Sequence, residues 1–153
     1  MPSIRKNRGN QTMNGERAAI TGYLSYALAA AHRSVHLELS RKLKDEGVQV
    51  EAWRIMEAID GESAMTMGRL AEVVLLAPPT LTKMVDRMVA DGLVQRQISQ
   101  EDQRQVHLVL SALGERKRDR VRQFADEQEA ALLERLGPDS ARLLHNALNS
   151  LAM

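Results

Sequence analysis

Residues 67–110 read MGRLAEVVLLAPPTLTKMVDRMVADGLVQRQISQEDQRQVHLVL, and this stretch decides the fold. Thr66 stands just before it and is a residue type that caps helix starts. Pro78 and Pro79 open a second helix, because proline is tolerated in a first turn where its missing N–H would be unpaired anyway. Gly92 ends that helix, since glycine readily adopts the left-handed conformation after a helix. The pattern predicts a helix-turn-helix.

The second of these helices is strongly two-sided. Its apolar residues recur at helical spacing and predict one buried stripe: Leu81, Met84, Val85, Met88 and Val89. The other face is polar, particularly near the helix start, and comprises Thr80, Thr82, Lys83, Asp86 and Arg87. We therefore expect this helix to present its polar N-terminal half to a partner.

Two alternating runs follow. Residues 94–98 and 106–110 each alternate with a period of two, which predicts half-buried β-strands. Residues 99–105 between them contain no apolar side chain and predict a solvated hairpin tip. A helix-turn-helix followed by such a hairpin is a winged helix.

The residues resemble the MarR family of bacterial transcription regulators. The resemblance is carried by Trp53-Arg54-Ile55-Met56, Leu70-Ala71-Glu72, Asp86-Arg87-Met88, Asp91-Gly92-Leu93-Val94, Glu101-Asp102-Gln103-Arg104 and Leu110-Ser111-Ala112-Leu113-Gly114. The sequence departs from the family pattern at Gln103, where a second arginine is usual, and at Ala112-Leu113, where threonine and a charged residue are common. The resemblance implies a mainly α fold with a small β-hairpin wing, acting as a homodimer on a palindromic operator. It further implies a repressor that a small-molecule effector releases from DNA.

The rest of the chain divides around this core. We expect a mobile tail over residues 1–13, a helical dimerisation region over residues 14–45 and 113–153, and the DNA-binding region over residues 46–112. An apolar stripe from about Glu16 to Lys44 predicts one helix of roughly 43 Å at ~1.5 Å per residue. A helix that long usually buries part of its stripe against another chain, which favours a dimer.

The expected DNA contacts follow from helix-turn-helix geometry, in which the first turns of the second helix enter the major groove. Hydroxyls and an ammonium group can bond bases or phosphates, whereas proline offers only apolar surface, for example to a thymine methyl. The candidates on the two helices are Thr66, Pro78, Pro79, Thr80, Thr82, Lys83 and Arg87. We expect Thr66 and Arg87 to contact the DNA backbone.

In the wing, Arg104 matches the family's minor-groove arginine, and Asp102 matches the acid that braces it. A narrow minor groove concentrates negative potential and attracts an arginine. Seen alone, a charged turn between strands is usually only a solvated hairpin. Its position after a helix-turn-helix favours the DNA-binding interpretation.

The resemblance also implies an effector pocket for a small aromatic acid, with Arg33, His36, Trp53 and Met65 as candidates. For Trp53 and Met65 a plain core position is the stronger interpretation. His32 and His36 lie four residues apart and share a helix face, but two histidines without nearby acids or cysteines are too few ligands for a zinc site. We therefore expect no metal and no cofactor.

Composition narrows the remaining functions. Lys and Arg number 21 against 20 Asp and Glu, so net charge indicates no partner, and a winged-helix module for protein contacts without specific DNA binding remains the alternative. The chain has no cysteine, which excludes disulfides and thiol redox sensing. We find no catalytic constellation, signal peptide or membrane-length apolar run, and expect a cytoplasmic protein that is not an enzyme.

Overall fold

The fold is mainly α-helical with one β-hairpin, as the sequence predicted. A computed structural model of the chain describes residues 19–61, 65–98 and 106–152. Its elements in chain order are α1 (Leu24–Lys44), α2 (Val50–Gly61), α3 (Met67–Val74), α4 (Pro78–Ala90), β1 (Val94–Ile98), β2 (Val106–Leu110), α5 (Ala112–Leu136) and α6 (Pro138–Ala152).

Helices α3 and α4 form the predicted helix-turn-helix. The hydroxyl of Thr66 accepts a hydrogen bond from the backbone N–H of Arg69 at 3.3 Å and caps α3. Helix α4 begins after Ala77, which supplies no side-chain cap, and carries proline in its first turn. It ends at Gly92 with φ +72°, where the N–H of Leu93 bonds to the carbonyl of Met88 at 2.9 Å. This is the Schellman end that glycine permits.

The turn between the two helices contains a residue in an unfavourable conformation. Leu75 ends α3 with φ 58° and ψ 43°, in the left-handed region, and its side chain is 83% exposed. A side chain with a β-carbon crowds the backbone in this region, at a cost of roughly 1–2 kcal/mol. This conformation could not be predicted from the residue type, since glycine or asparagine usually occupies such a position.

Strands β1 and β2 pair antiparallel, with Val94 opposite Leu110 and Ile98 opposite Val106. The prediction of half-buried strands is wrong for β1, where only Val94 is buried and the other four residues are exposed. It is confirmed for β2 beyond Val106, because Leu108 is buried and His107, Val109 and Leu110 are half-buried. The core lies beneath the base of the hairpin, where Met65 forms an isolated bridge to Leu108.

A single hydrophobic cluster lies under the helix-turn-helix. Its buried residues include the apolar stripe of α4, the inner face of α2 and the base of the wing, namely Val50, Ile55, Met56, Ile59, Met65, Leu70, Val74, Leu81, Val85, Met88, Val94, Leu108 and Val121. Trp53 packs against this cluster and is only partly buried.

Helix α5 starts in direct contact with the end of the helix-turn-helix. A β-carbon built on Gly114 would lie 2.1 Å from the carbonyl oxygen of Leu93, so no other residue fits there without movement. The hydroxyl of Ser111 donates to the carbonyl of Gly92 at 2.6 Å and accepts from the N–H of Gly114 at 3.0 Å. One side chain thus caps α5 and ties it to the turn that ends α4.

Ion pairs attach α5 to α2. Arg122 forms a two-pronged pair with Glu57, with distances of 2.9 Å and 2.6 Å, and Glu57 also accepts from the indole N–H of Trp53 at 3.1 Å. The hydrogen bonds from Arg122 to Glu57 raise the pKa of Arg122. Arg118 is 8% exposed and pairs with Asp60 and Asp119. Burial lowers the pKa of Arg118, and the bonds to the two carboxylates outweigh that effect and raise it overall.

The chain divides into two compact units, Met1–Glu38 and Leu39–Met153. In the first unit the predicted continuous helix from Glu16 is wrong among the described residues. Residues 19–21 form a helical turn, the chain then departs from the helix at Gly22 and Tyr23, and α1 begins at Leu24. The N–H groups of Gly22 and Tyr23 bond three residues back, the tighter pattern of a terminating turn.

Terminal helix α6 is amphipathic but buries none of its side chains. Its exposed apolar residues are Leu143, Leu144, Leu148 and Leu151, and the end of α5 adds Leu133 and Leu136. In the first unit, Ile20, Tyr23, Leu24, Tyr26 and Leu37 are also exposed. No helix within the described ranges is both long and apolar enough to span a membrane.

Candidate nucleic-acid interface

The first turns of α4 are held out from the molecule by the burial of its opposite face. Leu81, Val85 and Met88 are buried, which fixes the rotation of the helix about its axis. The candidate contacts of the first turns are consequently all exposed: Pro78, Pro79, Thr80, Thr82 and Lys83. The structure therefore brings these five side chains together on one surface, as the sequence predicted.

Thr82 differs from the others because its hydroxyl is already engaged. It donates to the backbone carbonyl of Pro78 at 3.0 Å. That carbonyl is one turn earlier in the same helix, so the bond uses the hydroxyl hydrogen within α4. Thr82 therefore presents a methyl group and an acceptor oxygen outward, rather than the donor that its residue type indicated.

The basic side chains of this surface are weakly held. Lys83 forms no ion pair within the part of the chain that the structure describes. Arg87 lies 3.8 Å from Asp91, and its side chain is 81% exposed. A surface pair of this kind contributes little to stability, so Arg87 can exchange its partner at little cost.

An ion pair joins α4 to the wing. Arg96 on β1 donates to Asp86 on α4, and both side chains remain partly exposed. The sequence placed Asp86 on the polar face without finding this partner. By the alternation of β1, Arg96 falls on the same side of the strand as the apolar Val94 and Ile98. An arginine at such a position is the signal that could have pointed to a nearby carboxylate.

At the start of α3, Thr66 occupies the predicted position. Its oxygen accepts the hydrogen bond from Arg69, which leaves the hydroxyl hydrogen available for donation. The residue lies at the N-terminus of α3, where backbone N–H groups favour an anion. Asp102 and Arg104, the predicted wing contacts, and Gln103 lie outside the described residues.

A crevice of about 400 Å³ lies between α3 and α4. Its lining includes Met67, Gly68, Ala71, Pro78, Leu81 and Thr82. Glu72, a charged residue of the lining, lies 3.3 Å from Arg69. The crevice is thus mostly apolar and adjoins the first turn of α4.

The four effector candidates fall in different units. In the second unit, Met65 is 1% exposed and belongs to the core, and Trp53 is engaged with Glu57. In the first unit, Arg33 lines a groove of about 430 Å³ on α1, together with Tyr26, Ala29, Ala30, Ser34 and Leu37. His36 lies beside His32, with 5.7 Å between the ring centroids.

Across the described residues, no group of three or more histidine, cysteine, aspartate or glutamate side chains is arranged to hold a metal ion.

Comparison with known proteins identifies the same class as the fold. The family model described as MarR matches residues 49–106. The chain is 27% identical over 129 residues to the transcriptional regulator FarR of Neisseria gonorrhoeae, covering 84% of this chain and 88% of that protein.

Solved structures agree. The repressor CouR bound to a 23-mer DNA duplex has a TM-score of 0.79 at 23% identity, covering 87% of this chain and 94% of that one. The structure of NadR in complex with 4-hydroxyphenylacetate has a TM-score of 0.74 at 26% identity, covering 99% and 98%.

The winged helix defined by α3, α4 and the β1–β2 hairpin is thus that of a helix-turn-helix regulator. Over residues 49–106 the chain matches the model of the MarR family, and the relatives FarR and CouR are described as a transcriptional regulator and a transcriptional repressor. The MarR family consists of DNA-binding regulators rather than enzymes.

Proposed function

We propose that the protein acts as a homodimeric repressor on a palindromic operator and that a small aromatic acid releases it. The observation that carries the DNA-binding part is the exposure of the first turns of α4. Side chains from Pro78 to Lys83 other than Leu81 are exposed, while the other face of the helix is locked in the core. A helix presented in this way fits the width of the major groove.

The dimer is supported by the apolar surface of the terminal helices. Leu143 and Leu151 of α6 are 66% and 64% exposed, and further leucines lie between them. Clusters of this kind on a soluble chain mark interaction sites. A two-fold dimer would place two α4 helices about one DNA turn apart and so match two half-sites.

The effector is supported by the groove around Arg33. A guanidinium beside apolar residues and Tyr26 offers a charge for a carboxylate and a surface for an aromatic ring. NadR, a structural relative, is described in complex with 4-hydroxyphenylacetate, an acid of this kind. An acid that prefers one spacing of the two α4 helices would shift the population away from the DNA-bound form.

The first experiment is selection of bound DNA from a random pool, followed by gel shifts at several salt concentrations. We expect a palindromic sequence and an affinity that falls steeply with salt, since released counterions drive phosphate contacts. Lys83→Gln should weaken binding about tenfold, and Lys44→Gln, an exposed lysine at the end of α1, is the matched control. Recovery of no preferred sequence would favour a protein-interaction module instead.

The wing has its own test. Arg104→Ala should weaken operator binding more than tenfold at fixed salt without lowering the melting temperature, because it removes a charge from the minor groove. The wing has no role in binding if affinity is unchanged.

The effector is tested by calorimetry with benzoate and 4-hydroxyphenylacetate. We expect binding by the wild type that is lost in Arg33→Gln and kept in Arg41→Gln, a second arginine of the same helix. Binding that Arg33→Gln leaves intact would move the site elsewhere.

A further inference from the structure

The part of the first turn of α4 that carries Pro78 and Thr82 is poor in hydrogen-bond donors, whereas Thr80 and Lys83 carry donors elsewhere on the exposed surface of the helix. Pro78 and Pro79 have no N–H, so two of the first backbone donors of the helix are missing. Ala77 adds no polar cap, and the hydroxyl of Thr82 is spent on the carbonyl of Pro78. The side of the first turn that carries Pro78 and Thr82 is consequently apolar apart from one acceptor oxygen.

The crevice between α3 and α4 continues this apolar surface inward. Met67, Gly68, Ala71 and the charged Glu72 contribute its α3 wall, and Pro78, Leu81 and Thr82 form the α4 wall. Among the described residues, no atom outside the neighbouring backbone of α3 lies within 4 Å of the β-carbon position of Gly68, so this wall has open space. Both Pro78 and Thr82 are exposed, and the crevice therefore opens beside the first turn of α4.

Among the four bases, thymine alone presents an apolar group in the major groove, its C5 methyl, while the others present only donors and acceptors there. An apolar recess penalises a polar group that it leaves unpaired and favours a methyl group. Both the donor-poor part of the first turn and the adjoining apolar crevice are therefore suited to contact the thymine methyl group.

We propose that the crevice between α3 and α4 selects thymine in each operator half-site through its C5 methyl, with the Thr82 methyl and the Pro78 ring as contacts. This inference rests on the proposed DNA-binding function. It adds a specificity that hydroxyl-bearing residue types alone did not indicate.

The experiment uses the full chain and the operator selected from the random pool. Each half-site thymine is replaced in turn by deoxyuridine, which keeps the base pair and the O4 acceptor and removes only the methyl. One thymine in each half-site should show a loss of affinity of roughly fourfold, the effect of one methyl group withdrawn from an apolar contact. Replacement of thymines that flank the site should have no effect.

A variant of Thr82 tests whether the loss of affinity on methyl removal arises at the crevice. Thr82→Ser removes the methyl but retains a hydroxyl that can donate to the Pro78 carbonyl. We expect the deoxyuridine penalty to fall at least twofold in Thr82→Ser and to stay unchanged in Thr21→Ser, a matched change on the first unit.

The outcomes separate the two proposals. A pool that returns no preferred sequence overturns both DNA recognition and this inference. Selective binding with no methyl-dependent thymine overturns the inference alone, as would an equal penalty in the wild type and in Thr82→Ser.

Discussion

Helices α4 and α6 have similar lengths, 13 and 15 residues, and both carry an apolar stripe at helical spacing, mixed Leu, Met and Val in α4 and leucine-rich in α6. In α4 that stripe is buried in the core beside α3 and β1, with Leu81 and Val85 almost inaccessible. In α6 the stripe is exposed from Leu143 to Leu151. Equal amphipathicity therefore leads to opposite outcomes, because burial depends on what surrounds a helix and not on its own pattern.

We therefore expect the two helices to have different roles. The winged-helix core buries its own apolar residues and can hold α4 in a fixed orientation. Helix α6 leaves apolar surface that a second copy would cover, so we expect its leucines to govern association rather than folding. Four sets of substitutions, ordered from the largest expected effect to the smallest, test this division and the segments that connect the helices.

The largest effect should come from charging the stripe of α6. In the double variant Leu144→Asp, Leu148→Asp, two carboxylates would have to be desolvated at the interface, so we expect a monomer by light scattering. Operator affinity should fall at least a hundredfold, because one chain can no longer engage two half-sites together. Asn149→Asp on the polar face is the control. A persistent dimer would show that α6 is not the contact.

Truncating α4's stripe should instead damage the fold. Leu81→Ala leaves a cavity in the core and should lower the unfolding free energy by about 2–5 kcal/mol in urea titrations. Leu143→Ala, at a residue 66% exposed, should change it little within a folded protomer and raise the dimer dissociation constant. If the two variants behaved alike, the division between folding and association would not hold.

Gly114 tests the junction between the helix-turn-helix and the start of α5. Gly114→Ala places a methyl against the carbonyl of Leu93 and should lower the unfolding free energy by roughly 1–3 kcal/mol or more, since backbone must move. Gly68→Ala is the matched helical control, with open space around its β-carbon position. It should raise stability by about 0.5–1 kcal/mol, because alanine loses less chain entropy than glycine. Thermal melts measure the stability of both variants, and equal shifts in their melting temperatures would contradict this expectation.

The smallest effect is expected at the turn between α3 and α4. Leu75→Gly should raise the unfolding free energy by about 1 kcal/mol, because it relieves a left-handed leucine whose exposed side chain contributes little packing. The reverse change, Gly92→Leu, should lower it by a similar amount at the end of α4. Calorimetric melting temperatures measure both, and a lower value for Leu75→Gly would mean that the leucine side chain has a role of its own.

Local patterns were enough to place the winged helix. The starts of α3 and α4 at Thr66 and Pro78, and the ends of both strands, follow from caps, prolines and alternation that act within a few residues. The same rules missed the break at Gly22, because an apolar stripe can continue across an interrupted helix.

The long-range contacts were not predicted from the sequence. The pair between Arg122 and Glu57 joins residues 65 positions apart, and the pair between Arg96 and Asp86 joins two different elements. The first pair leaves no periodic signal in the residues themselves, and the second leaves only the position of Arg96 on the same side of β1 as Val94. For the candidate site, the residue types on α4 were correctly placed on one exposed face, but the engagement of the Thr82 hydroxyl depends on local geometry that residue type does not specify.

The hydroxyl of Ser111 couples the formation of the first turn of α5 to the closure of the wing, which would otherwise be independent events. Because it bonds at once to Gly92 and to the N–H of Gly114, the first turn of α5 is completed only when the chain has closed from residue 92 to residue 111. The amide proton of Gly114 should therefore exchange with solvent only when the base of the wing opens. Its exchange rate would report the cooperative opening of both segments rather than the fraying of one helix end.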